Sequence, residues 1–213
     1  MVSLLNGDEL LSFLTSLPPH SRDAALERVL GISGEIDSRP PGPGLVGYHP
    51  SGIAPVLTMI LEAGVGEGDL FVDLGAGVGK VTTLVKLLTG ARVRGIELQP
   101  ELLRRAPRLE GVELMQADAR EAPIEDGTVF FLYNPFEGAA LTAVVDRLHR
   151  VAQHHAIVVC ALGIALGPTR WLKARPLDHF WLTVFDSVVP TVPPRVVSPA
   201  DFDPRIRQLA QEH

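Results

Sequence analysis

The chain has 213 residues, 46% of them apolar, which suits one cored domain of ordinary size plus an appendage. Its net charge of −6 excludes the basic surplus with which a constitutive nucleic-acid binder displaces counterions, so nucleic acid is a poor expectation as partner. The lone cysteine cannot form an internal disulfide, and no apolar run reaches the ~18 residues of a membrane span. A cytoplasmic protein without membrane contact is expected.

In chain order, residues 3–30 read as helical, with Leu4, Leu5, Leu10, Leu11, Phe13, Leu14 and Leu17 at helical spacing before a break at Pro18 and Pro19. Ser21 is placed to cap a second short helix ending near Gly31. Three prolines and three glycines between Pro40 and Gly47 cannot continue a helix or a central strand and read as a linker. The predicted organisation is an N-terminal helical segment with this linker over residues 1–47 and a catalytic-type domain over 48–213. Ile53 to Ala63 is a helix stopped by Gly64. Short apolar runs then alternate with helices. Strands are expected in "DLFVDLG", "ARVRGIE", "VELMQAD", "GTVFFLYN" and "HAIVVCALG", and helices over Lys80–Leu88, Glu101–Leu109 and Ala139–Val151.

That alternation implies a parallel sheet with helices on both faces, because each parallel crossover needs a helix-sized connection. After Gly167 the rhythm breaks. Two β-prone runs, Phe180–Val189 and Arg195–Val197, are joined by a proline-rich turn and are expected to pair antiparallel. The fold class is therefore α/β, a Rossmann-like seven-stranded sheet of five parallel strands and a C-terminal antiparallel hairpin, with an N-terminal helical appendage. The tail from Pro204 reads as a final helical turn or a frayed end.

Between the first strand and its helix stands Asp73-Leu74-Gly75-Ala76-Gly77-Val78-Gly79. A triphosphate-binding loop ending at Gly79-Lys80 would need glycine where Leu74 stands and a hydroxyl where Val81 stands. A dinucleotide fingerprint starting at Gly75 would need glycine where Lys80 stands. Both readings fail. Glycines let a ligand approach the backbone, the helix start offers free N–H groups to a carboxylate, and Asp73 suits a ligand that also carries an ammonium and a sulfonium. S-adenosylmethionine has all three groups. Glu97 ends the second strand, where an acid can accept both ribose hydroxyls, and Asp118 ends the third, where a carboxylate can accept from an adenine amino group. Three acids at the carboxyl ends of three successive strands lie on the edge where open α/β sheets bind ligands.

At the end of the fourth strand, "YNPFEG" places Tyr133, Asn134, Pro135 and Phe136 on the same edge. An Asn oxygen can orient a neutral amine, and aromatic faces attract a developing ammonium. Tyr48 and His49, ahead of the first domain helix, stand where they could close the site, and His49 could serve as a base for a hydroxyl acceptor. His154 and His155 are adjacent in a strand and face opposite sides, so no metal site is expected. Trp171, Phe180, Trp181 and Phe185 form an aromatic patch that suits core packing or a homodimer surface.

"FVDLGAGVGKV", "GIELQPEL", "ADARE" and "FLYNPFEG" together resemble the class I S-adenosylmethionine-dependent methyltransferases. Within them the chain is similar to the non-SET-domain, Dot-like histone lysine methyltransferases and their bacterial relatives. The resemblance spans residues 48–162. It implies S-adenosylmethionine as cofactor and S-adenosylhomocysteine as product. It also implies cofactor binding by Asp73, Gly75, Gly77 and Gly79 at the methionine end, Glu97 at the ribose and Asp118 at the adenine. Ala76, Leu98, Ala119, Asn134 and Tyr48 are expected to bind the cofactor beside them, and Tyr133, Asn134, Pro135 and Phe136, by their place on the sheet edge, to serve catalysis. Amine methyltransferases often carry two prolines where this chain has Pro135 alone, and a histone substrate is not implied. The expected activity is methylation of nitrogen on a lysine-like protein side chain or a small amine. The alternatives are oxygen methylation of a small metabolite and a non-catalytic S-adenosylmethionine-binding scaffold.

Overall fold

The computed structural model describes residues 6–32, 34, 36, 39–167, 169–188 and 197–212. The N-terminal segment forms α1 (Gly7–Thr15) and α2 (Arg22–Val29), parted by the two prolines and a 3-10 turn over Pro19–Ser21. A capping box starts α1: Asn6 Oδ1 accepts from Glu9 N at 2.9 Å, and Glu9 Oε2 accepts from Asn6 N at 2.9 Å. Beyond the linker, α3 (Ile53–Ala63) ends where Gly64 adopts a left-handed φ of 69°.

The core alternates as the sequence predicts: β1 (Leu70–Leu74), α4 (Lys80–Thr89), β2 (Arg92–Glu97), α5 (Pro100–Leu103), β3 (Val112–Gln116), β4 (Val129–Tyr133), α6 (Gly138–Ala152) and β5 (Val158–Leu162). Strands β6 (Leu172–Ala174) and β7 (Leu182–Ser187) and helix α7 (Pro204–Gln211) complete the chain. The seven strands run in the order β3-β2-β1-β4-β5-β7-β6. Strands β1 to β5 are parallel, and β7 is antiparallel to both β5 and β6. From β1 the chain winds outward to β2 and β3, then returns to β4 on the other side. A crevice therefore opens between the carboxyl ends of β1 and β4, the place where open α/β sheets bind ligands.

Both faces of the central strands are buried, which explains their apolar runs: β1 and β5 have no exposed residue, and Asp73 is the one acid within them. Leu10, Leu11, Leu14 and Leu26 from the N-terminal helices share one apolar cluster with Met59, Ile60 and Phe71. Burying each such side chain contributes on the order of 1.5–3 kcal/mol relative to exposure. The N-terminal helices are thus packed into the domain's core.

Three expectations are corrected. Helix α5 stops at Leu103, short of the expected Leu109, because Pro107 has no N–H to donate and disfavours helical backbone at Ala106. The C-terminal hairpin exists, but β7 pairs with the earlier β6, with Leu172 opposite Ser187. Of the expected partner run, Arg195 and Val196 lie outside the described residues, and Val197 is irregular. The tail is a full helix: Asp203 Oδ1 accepts from Arg205 N at 2.8 Å, Pro204 occupies the first turn, and Ile206, Leu209 and Ala210 are buried.

Candidate functional site

The crevice is a partly open cleft, and it gathers most of the residues that the sequence singles out. Asp73, Gly75, Ala76 and Gly77 come from the end of β1 and the loop after it. Glu97 ends β2 and Leu98 follows it, Asp118 and Ala119 come from the loop after β3, and Tyr133, Pro135 and Phe136 from the exit of β4. Tyr48 and His49 enter from the N-terminal side. Two predicted residues stand apart. Gly79 caps the start of α4, where a Cβ would lie 2.9 Å from Ala106 Cβ, so its place is a packed corner. Asn134 is exposed, does not line the cleft, and holds a left-handed φ of 42°, the sole positive value among described non-glycine residues. Asn is one of the few residues that adopt this conformation readily.

The glycine loop differs in detail from its expected role. At Gly75 (φ 102°) a Cβ would lie 2.9 Å from Pro135 Cβ, and at Gly77 (φ 56°) it would lie 2.7 Å from Tyr48 Cε2. Pro135 and Tyr48 therefore press on the side-chain-free faces of the turn. Its N–H groups are largely committed as well. Gly75 N and Ala76 N both donate to Ile96 O at 2.9 Å, Gly79 N donates to Ala76 O at 2.9 Å, and Gly77 N donates to Glu97 Oε2 at 2.9 Å. Glu97 Oε1 accepts from Gln99 N at 2.8 Å, so this buried carboxylate stitches β2 to the loop.

The other two acids contrast sharply. Asp73 is 2% exposed, and its Oδ2 has no hydrogen-bond partner among the described residues. Burial, with a smaller contribution from the charge of Glu97, pushes its carboxyl up to about 8. Asp118 is gripped by Arg120, whose Nε lies 2.9 Å from Oδ1 and whose Nη2 lies 2.5 Å from Oδ2. That ion pair holds the Asp118 carboxyl below its ordinary range.

Residues not anticipated from the sequence complete the walls. The glycine- and proline-rich segment is a strap rather than a free linker. Leu45 bridges Phe136, Val46 N donates to Pro135 O at 3.1 Å, and Glu137 N donates to Gly44 O at 3.0 Å. Lys80 also lines the cleft, is 4% exposed, and donates to Asp23 at 3.2 Å and Glu27 at 2.9 Å. One signal in the sequence marks Lys80: a cation at the first helical position opposes the helix dipole and needs acids nearby. Glu27 also faces Tyr48. Burial first, and that charge second, push the phenol up to about 12, so it stays a neutral donor.

An orphaned, buried carboxylate oxygen facing a cleft that a deep turn shapes fits a ligand with a cationic group near Asp73 and an apolar body. Ile96, Leu98, Leu102 and Phe136 offer that body its apolar surface. Comparison with known proteins agrees. Residues 72–160 match the family model described as a methyltransferase domain. The crystal structure of an RNA methyltransferase from Salinibacter ruber in complex with S-adenosyl-L-homocysteine is 27% identical, covers 70% of this chain and 99% of its own, and superposes with a TM-score of 0.55. A SAM-dependent methyltransferase from Aquifex aeolicus is 16% identical over 62% of this chain and 89% of its own, with a TM-score of 0.48. No curated protein matches. The sheet order, the family match and the likeness to the Salinibacter ruber enzyme define the fold of the class I S-adenosylmethionine-dependent methyltransferases. The chain is an S-adenosylmethionine-dependent methyltransferase.

Proposed function

We propose that the enzyme methylates a nitrogen, on a lysine-like protein side chain or a small amine. In this reading Asp73 receives the cofactor's ammonium and Glu97 accepts from the ribose hydroxyls. Asp118 accepts from the adenine amino group, with Leu98 and Ala119 beside the ring. Gly75, Ala76, Gly77 and Gly79 shape the turn that lets the methionine end lie deep, and Tyr48 covers it. Residues 48–213 are the catalytic domain in this scheme, and residues 1–47 supply the appendage and strap that wall it.

S-adenosylmethionine supplies an electrophilic methyl group on sulfonium. What the chain must do is hold a neutral amine in line with it and exclude water. Tyr133, Asn134, Pro135 and Phe136 stand at the β4 exit, where the acceptor would arrive. The strap fixes this corner by engaging the carbonyl of Pro135 through Val46. A neutral amine attacks without a strong base, so positioning carries most of the rate. Aromatic faces at Tyr133 and Phe136 suit the positive charge that grows on nitrogen. The observation that carries the cofactor reading is the unpaired oxygen of Asp73 in the cleft.

Incubation with methyl-labelled S-adenosylmethionine and a desalted cell lysate tests the acceptor. Label recovered as an N-methylated lysine or small amine by mass spectrometry is expected. Label identified in a methyl ether, or lost to base as a methyl ester, would indicate oxygen as acceptor and overturn the nitrogen reading. A second reading, a nitrogen of an RNA base, draws support from the likeness to the Salinibacter ruber RNA methyltransferase. The chain's net charge of −6 weighs against a long RNA footprint, and label in the RNA fraction would decide for it.

A further inference from the structure

If the cleft holds S-adenosylmethionine, the cofactor's carboxylate needs donors, and the glycine turn has few to give. The N–H groups of Gly75, Ala76, Gly77 and Gly79 are all spent on Ile96 O, Glu97 Oε2 and Ala76 O. Donors remain one step further on. Helix α4 spans ten residues, no side chain caps its N-terminus, and Lys80 and Val81 of its first turn line the cleft. Beside them lies the Lys80 ammonium, the one lysine or arginine among the residues lining the cleft. An ammonium has three donors. Two reach Asp23 Oδ1 and Glu27 Oε1, and no third acceptor is found among the described residues.

The acids that hold Lys80 both come from α2. Asp23 Oδ1 also accepts from Ile53 N at 3.1 Å, at the start of α3. The lysine is thereby fixed from outside the nucleotide-binding half of the fold. Asp73, deep in the same cleft with an oxygen unpaired among the described residues, offers the opposite charge once a cation draws off its proton. An anion and a cation on one small ligand group would find complementary partners at these two places.

We propose that Lys80 is the specificity residue for the cofactor's carboxylate, its third N–H completing the site made by the first turn of α4. The proposal rests on the S-adenosylmethionine reading of the cleft. It makes helix α2, through Asp23 and Glu27, a positioning element of the cofactor site. It also gives the enzyme a means of distinguishing S-adenosylmethionine and its product from adenosyl thioethers that lack an amino-acid end.

The test is calorimetric binding of S-adenosylhomocysteine and of 5′-methylthioadenosine to the full chain, in the parent and in Lys80→Met. Asp23 and Glu27 have side chains 52% and 33% exposed, so losing their partner leaves them hydrated rather than stranded. The expected result is a loss of about 10- to 100-fold in affinity for S-adenosylhomocysteine, the size of a hydrogen bond to a charged group, with methylthioadenosine unchanged within about twofold. Equal losses for both ligands would make Lys80 a structural residue, and no loss for either would remove it from the site. Either result overturns the proposal. If Lys80→Met fails to fold, Lys80→Gln keeps donors for the two acids and removes the charge, and the same selective loss is required of it. A parent protein that binds neither ligand would overturn the cofactor reading itself.

Discussion

The two ends of the cleft solve the problem of a strand-end carboxylate in opposite ways. Asp73, proposed for the methionine end, is buried, has an oxygen without a partner among the described residues, and is pushed up to about 8. Asp118, proposed for the adenine end, is locked to an exposed arginine and held low. A carboxylate already neutralised by a guanidinium gains little from a new donor, whereas one kept dry and unpaired gains a great deal from a cation. Affinity should therefore be concentrated at Asp73, and Asp118 should contribute orientation.

The largest effect expected to sharpen this contrast is that of Asp73→Asn. It should weaken S-adenosylhomocysteine binding by at least about 100-fold, in line with removing one partner of a buried charge pair. The empty protein should respond in the opposite sense. Because the folded-state pKa of Asp73 lies above its ordinary value of 3.8, its burial costs stability increasingly as pH rises from there toward about 8. Asp73→Asn should therefore raise Tm at pH 8.5, by about 2–4 °C per kcal/mol of relief, and by less at pH 5. A melt that showed no gain at pH 8.5 would break the claim that this carboxyl is stranded.

Glu97→Gln should fall in between. Its two oxygens accept from Gly77 N and Gln99 N, so one strained contact with an N–H is created as the charge is lost. A decrease of about tenfold in affinity, with Tm lowered by a few degrees, is expected from the loss of one charge-assisted hydrogen bond, and binding plus thermal melts measure both. The smallest effect belongs to Arg120→Ala at the exposed end. Affinity should change by less than about threefold, as for a solvent-facing ion pair, and a larger loss would place the arginine on the ligand itself.

Much of this was legible in the sequence for a physical reason. In the parallel half the central strands β1, β4 and β5 are buried on both faces, so they are dense apolar runs separated from their neighbours by helix-length spacers, and the acids near the strand ends stand out. The antiparallel half lacks that signature. β6 is three residues with Lys173 and Ala174 exposed, too short and too polar to read as a strand. The composition of the strap was visible, but its pairing with the β4 exit depends on two segments about 90 positions apart in the chain, which local pattern does not report. The commitments of the glycine-turn N–H groups were likewise invisible, since they are made to Ile96 and Glu97 on the neighbouring strand. Lys80 was in plain view next to the turn, and its position at a helix start was the clue.

The most direct test of the central contrast is the number of protons exchanged on cofactor binding. Calorimetry of S-adenosylhomocysteine at pH 7, in buffers of different ionisation enthalpy, reads that number. A carboxyl with a pKa of about 8 is mostly protonated in the empty cleft and must ionise to meet an ammonium, so the parent should release close to one proton, and Asp73→Asn should release none in whatever binding it retains. Tight binding by the parent without proton release would show that Asp73 is already ionised or is not where the cation goes, and it would contradict the account.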